Sequence, residues 1–203
     1  MKSLLIKDIE EVTNKKVRKN TICIGFDVSE RHTGICLLRV NDTKIYIEGL
    51  FKIETDVKDD IKNRMNYFIG ALEKYKQDFI KYKEYKICVV EDSWLGQNIK
   101  VLKDLVRFST LTWVVFHNFC DYLFFVLPNS ARAQIGFNKN DQMAEGNVKL
   151  KIITKGKNKG KPKKVDIKLL VMDYLKMAFG VEVPNNDNDL ADAFVLALCG
   201  ILK

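Results

Sequence analysis

Thr21-Ile22-Cys23-Ile24-Gly25-Phe26-Asp27 is an apolar run that ends on an acid. It shows no polar alternation, so it suits a strand buried on both faces, at the centre of a sheet covered by helices. The pattern returns in Tyr85-Lys86-Ile87-Cys88-Val89-Val90-Glu91, a second buried strand closing on a carboxylate. Between them, Thr33–Val40 and Lys44–Ile53 are strand candidates joined by the turn-forming pair Asn41-Asp42. The first three strands are therefore predicted as an antiparallel meander. Tyr122–Leu127, stopped by Pro128, is the fifth.

The helices follow from a different period. Ile61, Met65, Phe68, Ile69, Leu72, Tyr75 and Phe79 share one helical face within Val57 to about Lys83. Further helices are predicted from Asn98 to about Asn118, over Ser130–Ile135, over Asp166–Phe179, and from about Asp187 to Leu202. The expected fold is α/β, with a mixed five-stranded sheet and helices on both faces. Residues 1–19 read as an N-terminal extension, with Leu4, Leu5, Ile9 and Val12 on a short amphipathic helix. Residues 20–203 read as one domain with a basic loop inserted at about 138–165.

The 203-residue chain has a formal net charge of +8 and a pI near 9.1, which favours an acidic partner such as nucleic acid. Lys149 to Lys168 holds nine lysines against one acid, Asp166, with Gly156, Gly160 and Pro162 as breakers. That composition predicts a basic hairpin or loop. The cysteines at 23, 36, 88, 120 and 199 show no Cys-x-x-Cys spacing and sit mostly in apolar runs. They are expected to be separate buried thiols of a reducing compartment, with a thiolate zinc site disfavoured. No signal peptide is expected from the start MKSLLIKDIEEV. The apolar stretch Phe108–Leu127 contains His117, Asn118 and Asp121, so it reads as a buried helix entering a strand rather than a membrane span.

Four acids fall where a carboxylate site would need them. Asp27 and Glu91 end buried strands, and ends of adjacent strands bring such residues together. Asp189 and Asp192, three apart at the start of the last helix, share a face that can lie over those ends. Each adjoins strongly apolar sequence, where a carboxylate is costly unless a cation compensates it. An all-oxygen donor set points to Mg²⁺ or Mn²⁺, and two such ions suit in-line phosphodiester cleavage. Asp187 is a helix cap, a substitute ligand or a supporting group, and His32 a further candidate beside Asp27.

These residues resemble the motifs of the RuvC-like Holliday-junction resolvases, of RNase H-like fold. Ile24-Gly25-Phe26-Asp27-Val28-Ser29-Glu30-Arg31-His32-Thr33-Gly34 is similar to the first motif, Val89-Val90-Glu91 with Gln97-Asn98 to the second, and Asp189-Leu190-Ala191-Asp192-Ala193 to the last. Leu127-Pro128 with Ser130, Arg132 and Ile135-Gly136 is similar to the strand and short helix that precede the family's basic residues. Val28-Ser29 replaces the more usual Pro-Gly, and the lysine-rich stretch is longer than in bacterial relatives. Both departures suit a divergent phage or viral-type branch.

The resemblance implies a homodimer making two symmetric nicks across a four-way DNA junction. It also implies two Mg²⁺ ions on Asp27, Glu91, Asp189 and Asp192, and 5′-phosphate products. DNA contacts are expected from Arg132, Lys155, Lys157, Lys159, Lys161, Lys163 and Lys164. The helix carrying Leu105, Phe108, Leu111 and Trp113 is the expected dimer seam. The expected setting is the cytoplasm of a bacterium or infected host, or a viral replication site, with no membrane partner. Other RNase H-like nucleases, acting on other branched DNA or on RNA–DNA hybrids, remain open, as does a junction-binding protein without activity. An ATPase of the sugar-kinase or actin type is disfavoured, because the chain has no Gly-Gly phosphate loop.

Overall fold

The computed structural model describes residues 3–92, 99–138 and 167–203. Six strands form one sheet in the order β1-β4-β3-β2-β5-β6. They are β1 (Ser3–Leu5), β2 (Thr21–Asp27), β3 (His32–Val40), β4 (Lys44–Glu54), β5 (Tyr85–Glu91) and β6 (Tyr122–Val126). The pairs β1–β4, β4–β3 and β3–β2 are antiparallel, while β2–β5 and β5–β6 are parallel. The expected mixed sheet with its meander is therefore present, with six strands instead of five. The additional strand is β1, which pairs Leu4 with Ile45 at the edge of the meander.

Six helices complete the described fold: α1 (Ile6–Thr13), α2 (Ile61–Phe79), α3 (Ile99–Phe116), α4 (Pro128–Gln134), α5 (Ile167–Phe179) and α6 (Asn188–Ile201). The strand period sorts the core into two layers. Ile22, Ile24 and Phe26 of β2 face α2 and α3, where Phe26 meets Phe116 at 4.8 Å and Phe68 meets Phe108 at 5.0 Å between ring centroids. Cys23 and its neighbours on that strand's other face look toward α5 and α6. Residues 3–19 join this second layer: Leu4, Ile6, Ile9 and Val17 are buried in it, and Val17 bridges to Leu202.

Helix α6 lies directly on the sheet because the residues beneath it are small. A Cβ on Gly25 would stand 2.2 Å from the Ala193 carbonyl oxygen, and one on Gly34 would stand 2.1 Å from the Asp189 carbonyl oxygen. All but two residues of α6 are buried, which explains a helix apolar around most of its circumference.

Cys88 and Cys120 are joined as a disulfide, against the expectation of five separate thiols. Cys23, Cys36 and Cys199 are free and buried, as expected. Among the described residues no helix is long and apolar enough to cross a membrane.

Candidate active site

Register builds the site. Asp27 on β2 stands opposite Gly34 on β3, and Gly34 stands opposite Lys52 on β4. On the other side Phe26 pairs with Val90, so Asp27 and Glu91 end adjacent parallel strands one step further along. Partners directly across a sheet share a face. Lys52, Gly34, Asp27 and Glu91 therefore form one row along the edge of the α6 face. Gly34 leaves a gap in that row, and the first turn of α6 settles into it. Asp189 and Asp192 come down beside Asp27 and Glu91 in this way.

Asp27, Glu91, Asp189 and Asp192 line one cleft of about 410 Å³, together with Lys168 and Arg132. Asp27 is buried and hydrogen-bonded to Glu91. Burial, the bond to Glu91 and the nearby charge of Asp192 push the Asp27 carboxyl well above its ordinary range. Glu91 is raised as well, chiefly by burial. Two carboxyls packed together in this way disfavour each other's ionised form.

The two helix carboxylates have basic partners. Arg132 on α4 is buried, and its Nη2 and Nε reach Asp192 Oδ1 at 2.7 and 3.2 Å. Lys168, in the first turn of α5, places Nζ 3.6 Å from Asp189 Oδ1 and 3.8 Å from Asp192 Oδ2. Burial alone would lower the Lys168 pKa, but Asp27, Asp192, Asp189 and Glu91 together hold it above the ordinary lysine value. Lys52 Nζ lies 2.8 Å from Asp187 Oδ2 and 3.3 Å from Asp189 Oδ2.

Asp187 is the N-cap of α6: its Oδ1 accepts from the backbone N–H groups of Asp189 and Leu190. It lies outside the lining of the cleft. Asp187→Ala removes the cap and the Lys52 partner together. The expected loss is about 1 kcal/mol, or a fall in Tm of roughly 2–4 °C. Asp187→Asn, which keeps the capping oxygen, should recover most of it in thermal denaturation.

The expected acids thus share one cleft, and the other candidates are placed differently from one another. His32 turns toward Glu54, with Nδ1 to Oε1 at 3.7 Å, and does not line the cleft. Arg132 is in the cleft wall on Asp192, not on an open surface. Lys155, Lys157, Lys159, Lys161, Lys163 and Lys164 lie outside the described residues, as do Gln97 and Asn98.

Lys168 and Lys52 were not singled out from the sequence, though each leaves a signal. Lys168 is three, four and seven residues before Val171, Met172 and Leu175, so it occupies the buried stripe of α5. Lys52 follows Leu50 by two on β4 and continues its inward row. A lysine at a position where the period calls for an apolar residue is the mark in both cases.

Among the described residues no three acids, histidines or cysteines stand close enough to enclose one ion as placed. The inner oxygens of Asp189 and Asp192 are turned to the Lys168 ammonium instead. The donor chemistry nevertheless fits a hard divalent cation. Every donor is a carboxylate oxygen, and a cation would relieve the mutual repulsion of Asp27 and Glu91.

No protein-family profile and no curated protein matches the chain. Solved structures do match. RuvC of T. thermophilus in complex with a Holliday junction substrate superposes with a TM-score of 0.60 at 13% identity, over 88% of this chain and 91% of that one. Thermus thermophilus RuvC by itself gives 0.58 at 13% identity, over 90% and 98%. The yeast mitochondrial Holliday junction resolvase Ydc2 gives 0.51 at 11% identity, over 95% and 82%. The chain has the RuvC-like resolvase fold.

Proposed function

We propose that this chain, having the fold of the RuvC-like resolvases, is a structure-selective DNA endonuclease that resolves four-way junctions by paired symmetric nicks. The observation that carries the reading is the meeting of Asp27, Glu91, Asp189 and Asp192 in one cleft of that fold. In this reading the four carboxylates hold two Mg²⁺ ions. Bound there, the ions supply Lewis-acid stabilisation to an in-line displacement at phosphorus that leaves a 5′-phosphate.

The chain's own residues have distinct tasks. Asp27 and Glu91, fixed on adjacent strands, are the rigid half of the ligand set. Asp189 and Asp192 are the half that α6 carries. Lys168 puts an ammonium on the cleft wall, where it can pair with a phosphate oxygen of the bound strand. Lys155, Lys157, Lys159, Lys161, Lys163 and Lys164 supply sequence-independent contacts to the converging phosphates. Each lysine that touches a phosphate should take about 0.9 off the slope of log affinity against log salt when neutralised. An unchanged slope in a variant with all six replaced by glutamine would remove this segment from the DNA interface.

Two symmetric cuts require two sites, so a second copy belongs to the reading. Phe108 is buried in the α3 core layer and Leu111 packs against it, but Val106, Trp113 and Val114 are exposed. That outer side of α3 is the seam we assign. Sedimentation should find dimer at micromolar concentration.

The deciding experiment offers the purified chain a synthetic four-way junction, a flap, an RNA–DNA hybrid and linear duplex, each with Mg²⁺ and with chelator. Symmetric nicking of the junction, lost on chelation, is the expected result. Preferential cutting of the hybrid would replace the junction with a different RNase H-like substrate. No cutting of any of them would leave at most a binding protein.

A further inference from the structure

Asp189 and Asp192 stand one helical turn apart, and each is held in the same way. Asp189 Oδ2 pairs with the Lys52 ammonium at 3.3 Å, and Asp192 Oδ1 accepts from Arg132 Nη2 at 2.7 Å. The remaining oxygens, Asp189 Oδ1 and Asp192 Oδ2, are the ones turned toward Lys168. Each carboxylate therefore has an outer oxygen tied to a cation of the scaffold and an inner oxygen facing the cleft.

The two ties are well anchored. Lys52 also binds Asp187 at 2.8 Å, and its strand is paired through Gly34 to the strand beneath α6. Arg132 is buried and places two nitrogens on the same Asp192 oxygen. A carboxylate whose outer oxygen is so occupied has one oxygen left to give an ion in the cleft. That distinction separates two common cations. Mg²⁺ demands a near-ideal octahedron of single oxygens at short range, whereas Ca²⁺ takes six to eight oxygens and readily accepts both from one carboxylate.

We propose that Lys52 and Arg132 are positioning residues that set the cation preference of the site, holding Asp189 and Asp192 to one-oxygen ligation and so favouring Mg²⁺ over Ca²⁺. The inference rests on the reading of this cleft as a divalent-cation site. It assigns a task to two basic side chains that would otherwise be expected only to repel a metal ion or to touch DNA. Removing Lys52 also removes a positive charge, which strengthens the attraction for both cations. The ratio of the two affinities, not either alone, reports the tie.

The test is calorimetric titration of MgCl₂ and of CaCl₂ into the full chain without DNA, for the wild type, Lys52→Met and Lys52→Arg. Groups that orient metal ligands typically change affinity by about 10–100-fold when lost. The Ca²⁺-to-Mg²⁺ affinity ratio is expected to rise about tenfold in Lys52→Met, the lower end of that range. In Lys52→Arg, which can tie the same oxygen, it should return close to the wild-type ratio. A merely structural role would lower the melting temperature without moving this ratio. An unchanged ratio in folded Lys52→Met overturns the proposal, and so does an equal rise in Lys52→Arg. If Lys52→Met does not fold, Lys52→Leu, which likewise has no donor, gives the same readout by the same criteria. A wild-type chain that takes up neither cation overturns the metal reading and the proposal together. A chain that binds both cations and cuts junctions with Mg²⁺, yet keeps its ratio in the variants, overturns the proposal alone.

Discussion

On the proposed reading, Asp27→Asn is expected to abolish nicking and to leave junction binding in place. The substitution keeps the shape of a side chain that is buried, and its amide can still hydrogen-bond to Glu91. What is lost is one anionic ligand at the strand end. Lewis-acid stabilisation at phosphorus amounts to several kcal/mol, so the expected fall in single-turnover rate is about 10³-fold or more. Gel-shift affinity for the junction, measured without divalent ions, should change little. Cleavage by Asp27→Asn within tenfold of the wild type would remove Asp27 from the chemistry.

The same variant should be more stable than the wild type in chelator. Burial, Glu91 and Asp192 raise the Asp27 pKa above the ordinary value of 3.8, so the folded chain binds a proton that the unfolded chain releases. Stability from such a group is present at low pH and is lost as pH rises from 3.8 toward the raised folded value. An asparagine does not titrate. A flatter pH–stability curve above that point, together with lost cleavage, marks a residue whose strain serves function.

Gly25→Ala, like a methyl on Gly34, is expected to be among the most damaging single additions at the described glycines. Its Cβ would stand 2.2 Å from the Ala193 carbonyl oxygen and 2.4 Å from the Ala197 amide nitrogen. Both obstacles are backbone, so a rotamer change cannot relieve them and α6 must lift off the sheet. Overpacking of this kind costs about 3 kcal/mol or more, or roughly 10 °C in Tm for a chain of this size. Any folded fraction should cut poorly, because lifting α6 carries Asp189 and Asp192 away from Asp27 and Glu91. Gly70→Ala is the natural comparison. It sits on the exposed side of α2 with nothing within 4 Å of the added carbon, and should stabilise by about 0.5–1 kcal/mol. Equal melting temperatures for the two variants would contradict the close approach of α6.

The four acids were legible because each ends or adjoins a strong apolar run, and period and strand order then place them together. The edge strand Ser3–Leu5 was not legible: three residues are too few for an alternation to declare itself. The Cys88–Cys120 pairing was hidden because the two residues are 32 apart and carry no spacing motif. Arg132 was recognised as important, but sequence could not tell a phosphate contact from a guanidinium turned inward onto Asp192. Lys52 was masked for another reason. A charged residue near the end of a strand looks like ordinary surface until the register shows that Gly34 and Asp27 lie beside it in the same row.

The carboxylates at positions 27, 91, 189 and 192 meet only after β2, β5 and α6 have docked. On the proposed reading, a nascent polypeptide therefore gains cutting competence only once α6 has left the ribosome and docked. Truncated chains that lack α6 should then be harmless to the DNA of the cell that makes them.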